Sequence, residues 1–294
     1  MIINNSNFMD KNTREVAEMI LGEMEKLHGQ YDDFLVILPQ SQKSVIEYLN
    51  SSGFEGFVTV STLVDKDNTD IYIEGFTRYP FVVAIDGPSA SGKSTVAKEI
   101  SKILDIEYLD TGAMYRGVTL FLLENGIDIE EDAVNKIIDT IIVDIHGDKV
   151  FLNGKGVSKK IRGELVTKNV SRVSKLGTVR NHLVNQQRKI AQGKSIVLDG
   201  RDIGTVVFPK ADFKFFITAS VEERARRRFN DSKSALDKDY NSILIDLKRR
   251  DEIDMNREIS PLKKAEDARL IDSTNMSLKQ VVEEIITIIR GENV

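Results

Sequence analysis

From residue 81 onward the apolar positions form short continuous runs, and stretches of helical spacing separate them. FVVAI at 81–85 is uninterrupted, as a strand buried on both faces would be. After a break rich in Gly and Ser, Val96, Ile100 and Leu104 recur at i, i+4 and i+8 with Ala97 and Ile103 beside them, the apolar stripe of a helix starting at Lys93. The same reading predicts strands at 106–109, 195–198, 213–219 and 270–271. It places helices at 113–124, 130–141, 164–175 and 177–191, from about 220, from about 240, and at 277–290 up to Gly291. A hairpin, 141–145 with 149–152, turns through His146-Gly147-Asp148. Strands alternating with helices argue an α/β fold with a doubly wound parallel sheet for 81–294.

Residues 1–80 follow a different pattern. Val16, Ile20, Met24 and Leu27 make one face of a helix over 11–29, with Gly29 at its end and His28 as a solvated cap. A strand at 34–38 stops at Pro39, a helix over 44–49 closes at Gly53, and strands at 57–64 and 71–76 flank a polar turn at 65–70. This α-β-α-β-β order describes a small α/β extension, close to the size at which an isolated core is marginal.

Charge separates the same two parts. The net charge of the 294 residues is −5, yet residues 1–80 hold 13 acidic against 6 basic groups, leaving 33 acidic and 35 basic in the remainder. A slight basic excess beside the Gly-rich break suits anionic substrates. The absence of Cys excludes disulfides, thiolate metal sites and a cysteine nucleophile. A polar start, and no apolar run near the ~18 residues of a membrane span, lead to the expectation of a cytoplasmic protein without membrane or nucleic-acid partners.

The break itself, GPSASGKST at 87–95, matches G-x-x-x-x-G-K-[ST] at every fixed position, with a strand before it and a helix after it. Gly87 and Gly92 allow the positive φ that turns backbone N–H groups onto phosphates, and Pro88, Ser89, Ala90, Ser91 and Thr95 complete the cradle. Lys93 brings a point charge and Ser94 a hydroxyl for Mg²⁺. Asp199, an acid ending the strand at 195–198, is a second metal candidate. DTGAMYR at 110–116 ends another strand, where open α/β sheets bind ligands, so Thr111, Tyr115 and Arg116 face a second substrate. Arg224, Arg226, Arg227 and Arg228 crowd one helix, beside a polar, unpatterned flap at 229–239. Arg250, Asp254 and Arg257 share one face of the next helix. The only Asn-Lys, at Asn135, lacks the Asp of N-K-x-D, and no L-S-G-G-Q occurs, which weighs against GTPases and transporter ATPases.

Five separated segments, IDGPSASGKST, YLDTGAMYR, LDGRDIGTVVFP, ITASVEERARRR and RRDEIDMNREISPL, resemble the bacterial cytidylate kinases over roughly 81–290. The resemblance implies a P-loop kinase with a nucleoside-monophosphate-binding insert at about 112–192, the FLNGKGVSKKIR hairpin within it, and a short lid at about 224–250. It implies transfer of the γ-phosphoryl of ATP, with Mg²⁺, to CMP or dCMP. Carried over residue by residue, Asp202 and Arg180, supported by Ser171, read cytosine, whose N4 amine needs an acceptor. Arg116 and Arg201 clamp the acceptor phosphate, Arg250, Asp254 and Arg257 contact ribose and phosphate, and Gly200 lies among them. Lys93, Arg116, Arg201, Arg227 and Arg250 form the implied catalytic set. A kinase for UMP or a metabolite hydroxyl, or a binding-only ATP module, are the other readings. Residues 1–80 lie outside the resemblance and are expected to dock on the kinase domain or on a second copy.

Overall fold

A computed structural model of the chain describes residues 2–3, 12–25, 32–39, 44–45, 57–64, 70–78, 80–231 and 239–289. Two compact units result: Met1–Phe81 with Glu283–Val294, and Val82–Val282. The expectations for His28, Gly29, Gly53, the turn at 65–69, the flap core at 232–238 and Gly291 lie outside the described residues.

In the first unit, helix α1 (Thr13–Glu25) starts where a capping box dictates. Asn12 Oδ1 accepts from Arg14 N at 3.1 Å and from Glu15 N at 3.0 Å, while Glu15 Oε2 accepts from Asn12 N at 3.0 Å. Its inward face is Val16, Ala17 and Ile20, all fully buried. Four strands pair in the order β1-β2-β4-β3: β1 (Ile2–Ile3), β2 (Asp32–Pro39), β3 (Phe57–Val64) and β4 (Asp70–Arg78). β2 and β3 both run antiparallel to β4, and β1 adds parallel to β2. The two-residue β1 has no sequence signal, since a pair of Ile cannot show a period.

The second unit is built on five parallel strands: β5 (Val82–Asp86), β6 (Glu107–Asp110), β10 (Ile196–Gly200), β11 (Phe213–Thr218) and β12 (Arg269–Asp272). Their order is β12-β11-β5-β10-β6, and every neighbouring pair is parallel. β10 is buried throughout and β5 nearly so, which is why both are continuous apolar runs. The connection from β5 goes out past β10 to β6, and that from β10 returns past β5 to β11, so strand order reverses at β5. The carboxyl ends of β5 and β10 therefore open on the crevice where such sheets bind ligands.

Helix α2 (Lys93–Leu104) buries Val96, Ala97, Ile100 and Leu104, as its spacing predicts. Helices α3 (Thr111–Glu124), α5 (Glu164–Val173) and α6 (Gly177–Ala191) enclose the main core with a three-stranded antiparallel sheet, β7 (Val143–His146), β8 (Lys149–Leu152) and β9 (Lys155–Gly156). Gly147, at φ 58, supplies the left-handed turn between β7 and β8.

Four expectations need correction. The helix predicted over 130–141 is only α4 (Glu131–Asn135), followed by a 3₁₀ turn at Ile138–Thr140, because the β-branched run Ile137, Ile138, Thr140, Ile141, Ile142 disfavours continued helix. Phe229 to Asp231, assigned to the flap, continue helix α7 (Val221–Asp231), and Phe229 packs edge-on against Tyr240 at the start of α8 (Tyr240–Met255). Arg257, expected on one helical face with Arg250 and Asp254, lies past the end of α8, which Asn256 caps. The segment after β10 also winds into a π-helical turn at Ile203–Val207, which the sequence reading did not anticipate. Helix α9 (Leu278–Ile289) is the last element.

Candidate active site

β5 delivers the Gly-rich loop to the crevice. Gly87 has φ 150, and a Cβ there would stand 2.0 Å from the carbonyl oxygen of Ile217, so only Gly fits. Ala90 at the apex adopts φ 61, a conformation that costs a non-Gly residue about 1 kcal/mol or more. Gly92, at φ 91, turns the chain into α2. Lys93 folds back, donating from Nζ to the Pro88 carbonyl at 2.6 Å and to Ser91 Oγ at 3.3 Å. Burial, then the nearby Arg201, pull its pKa down to about 7.

β10 ends one strand away on Asp199. Ser94 Oγ donates to Asp199 Oδ2 at 2.7 Å and Tyr108 Oη donates to Asp199 Oδ1 at 2.8 Å. Burial, then Asp110, raise the Asp199 carboxyl to about 6, against the opposing pull of Lys93. Burial also pushes the Tyr108 phenol up, with Asp199 adding to it.

Further along the chain, arginines and carboxylates in the crevice form a lattice. Arg180 Nη2 pairs with Asp202 Oδ2, and its guanidinium lies 5.3 Å from the Tyr115 ring centroid. Arg257 approaches Asp202 at 3.7 Å, and Arg201 Nε donates to Asp254 Oδ2 at 2.9 Å. Arg116 donates to Thr167 Oγ1 at 3.0 Å. Burial and converging cations hold Arg116 and Arg250 at about 10, with Arg250 acting on Arg116 and Arg201 on Arg250. Among the described residues Tyr115 Oη, Arg250 Nε and Arg257 Nη2 are buried without a hydrogen-bond partner. Buried donors with no hydrogen bond, beside crowded cations, describe a surface shaped for an anion.

Of the expected site residues, all but Gly87 and Pro88 line one cleft of about 700 Å³, a size typical of ligand sites. Ser89 to Thr95 and Asp199 line it together with Thr111, Tyr115, Arg116, Ser171, Arg180, Gly200, Arg201, Asp202, Arg227, Arg250, Asp254 and Arg257. Arg227 reaches Glu223 at 2.8 Å and Ser273 Oγ at 3.1 Å, and its Nη1 lies 3.9 Å from where a Cβ on Gly92 would be. Arg226 points outward to Glu223, and Arg224 is buried against the loop rather than facing the cleft. Among the described residues no group of three or more His, Cys, Asp or Glu is placed to hold a metal, and no helix is long and apolar enough to cross a membrane.

The sequence reading missed Asp86. It accepts from Ile203 N and Gly204 N, each at 2.8 Å, so the acid before the phosphate loop anchors the turn after Arg201 and Asp202. Burial raises it to about 6. Its signal, an acid closing a buried strand, was the one already applied to Asp199.

The sequence model of one family, described as cytidylate kinase, matches residues 83–291. The chain belongs to the cytidylate kinase family. A cytidylate kinase of Fusobacterium nucleatum subsp. nucleatum is 50% identical over 206 residues, covering 69% of this chain and 94% of that protein. Those of Caldanaerobacter subterraneus subsp. tengcongensis and Clostridioides difficile are 48% and 46% identical, over 71% and 70% of this chain and 94% and 96% of theirs. A solved shikimate kinase from Acinetobacter baumannii aligns at 17% identity and a TM-score of 0.36 over 73% of this chain and 95% of that one, too remote to bear on function. Family membership thus rests on the stretch that holds the cleft, and the segment before residue 83 lies outside it.

Proposed function

We propose that the protein transfers the γ-phosphoryl of ATP to CMP or dCMP, yielding ADP and CDP or dCDP. The observation that carries this reading is the meeting, in one cleft, of a phosphate loop, a buried Arg180–Asp202 pair and the arginines Arg116, Arg201 and Arg250. In the transfer, an oxygen of the acceptor phosphate forms a bond to the γ-phosphorus as the bond to the β,γ-bridging oxygen breaks, and ADP departs with that electron pair. No general base is needed, since the second pKa of a phosphate monoester is near ~6.

Each residue has a charge or positioning role. Lys93 and the loop N–H groups hold the donor phosphates. Arg116, Arg201 and Arg250 offset the repulsion of the two polyanions, and Arg227 closes the donor side. Asp202 accepts from the cytosine amine, with Arg180 and Ser171 beside it and Arg257 and Asp254 toward the sugar. Ser94 and Asp199 present a hydroxyl and a carboxylate oxygen 2.7 Å apart, hard donors suited to Mg²⁺ held largely through phosphates and water. Held there, such an ion would offset negative charge on the donor phosphates.

The remaining parts follow from this assignment. Residues at about 112–192 serve as the monophosphate-binding insert and those at about 224–250 as the lid of a domain spanning 81–294. Residues 1–80 form an accessory module that engages the kinase domain or a second copy, and nucleotide substrates make the cytoplasm the proposed setting. The test incubates the protein with Mg²⁺, ATP and CMP and resolves the products by anion exchange. Equal amounts of CDP and ADP are expected; ADP formed at the same rate without CMP contradicts the transfer.

A further inference from the structure

Ser89, in the phosphate loop, is held at both of its backbone groups. Its N–H donates to Asp251 Oδ1 at 3.2 Å, and its carbonyl accepts from Arg224 Nη1 at 3.2 Å. The two side chains bond each other through Arg224 Nη1 and Asp251 Oδ2, and Arg224 Nε donates to the Ala219 carbonyl at 2.9 Å. All three residues are buried. The next residue, Ala90, has the positive φ, and it packs on the small apolar cluster of Ala225, Ile243 and Leu247, which α7 and α8 share.

We propose that Arg224 and Asp251 are a positioning pair for phosphoryl transfer, which clamps the Ser89 peptide and keeps the loop apex in its phosphate-receiving shape. The strained turn at Ala90 has no glycine to relax it, so its persistence requires contacts that over-determine it. The ion pair and the apolar cluster are those contacts. Charge-assisted bonds of this kind also fix direction, since Asp251 can only accept and Arg224 can only donate. Asp251 follows Arg250 in α8 and lies one turn before Asp254, so the helix that grips the loop also carries acceptor-side groups. Donor and acceptor halves of the cleft are thereby tied through one side chain, which neither half requires for contact with its own substrate.

This inference rests on the ATP-dependent reading of the cleft, and direct binding of the magnesium complex of ATP, measured by calorimetry, separates the two. Wild type that binds it but makes no CDP would overturn the proposed function and leave the clamp in question to be judged by binding alone. The primary variant is the double substitution Arg224→Met with Asp251→Leu, because replacing a buried ion pair whole usually preserves folding, whereas removing one partner strands a charge. The double variant is expected to keep its thermal midpoint within a few degrees. Its dissociation constant for the ATP complex should rise at least tenfold and kcat should fall, with CMP binding alone changed less than threefold. ATP affinity and kcat within threefold of wild type in a folded double variant would overturn the clamp. If that variant does not fold, Asp251→Asn, which keeps the shape and an acceptor for Ser89, takes its place. ATP binding weakened threefold or more with CMP binding unchanged supports the pair, and unchanged ATP binding refutes it.

Discussion

Arg180 and Asp202 form an ion pair with side chains 2% and 6% exposed, in the wall of the cleft. A carboxylate so held presents a fixed acceptor to an incoming amine. Asp202→Asn is therefore expected to raise the dissociation constant for CMP tenfold or more, since one unpaired buried polar group costs about 1–3 kcal/mol. ATP binding should change much less. Stranding Arg180 should also lower stability, by about 3–5 kcal/mol at most. Calorimetric titration with each nucleotide separately checks this, and equal losses for both would show that Asp202 does not read the base.

Lys93 yields a prediction about protons. Its pKa near 7, set by burial and then by Arg201, leaves it partly neutral before ATP binds. A polyphosphate beside it favours the charged form and raises that value, so binding at pH 7.5 takes up a fraction of a proton. Titration of the magnesium complex of ATP in buffers of different ionisation enthalpy measures the uptake. Lys93→Met should lose it and lower turnover by roughly 10³-fold or more. Retained turnover in the variant would remove Lys93 from the chemistry.

Asp86 links stability to pH. Its folded value of about 6 exceeds the ordinary 3.8 because it is buried, so the folded state holds this proton more tightly than the unfolded chain. The resulting stabilisation is full below about pH 4 and is lost as the pH rises through about 6. Thermal midpoints of wild type and Asp86→Asn, compared from pH 4 to 7, should show wild type losing stability relative to the variant across that window. Parallel curves would mean that Asp86 does not titrate as its burial dictates.

These residues mark the limit of what the chain discloses one stretch at a time. β5 and β10 were legible because both faces are buried, and α2 because Val96, Ile100 and Leu104 repeat at helical spacing. The phosphate loop was legible because a short local motif carries its whole geometry. Asp86 was not, because its partners Ile203 and Gly204 lie 117 and 118 positions away, and the π turn they belong to has no repeating signature. Arg224 was grouped with its neighbours as a lid cation, although its partner Asp251, 27 positions on, turns it inward. Tyr108 looked like an ordinary strand residue until β10 placed Asp199 beside it.

The extension permits a truncation. Among the described residues, those that line the cleft fall between Ser89 and Val281. A chain beginning at Thr77 is expected to keep CMP phosphorylation within about tenfold, a barrier change of ~1.4 kcal/mol. Folding is checked by circular dichroism and activity by ADP release. A folded chain without transfer would mean that residues 1–76 complete the site.

The most direct measurement is the initial rate of ADP release with CMP, dCMP, UMP and AMP as acceptors under identical Mg²⁺ and ATP. CMP or dCMP should give the highest kcat/KM, with UMP at least tenfold lower, because its position 4 carbonyl meets the Asp202 carboxylate as acceptor against acceptor. UMP or AMP equal to or above both cytidine nucleotides would contradict the assignment of this cleft to cytidylate.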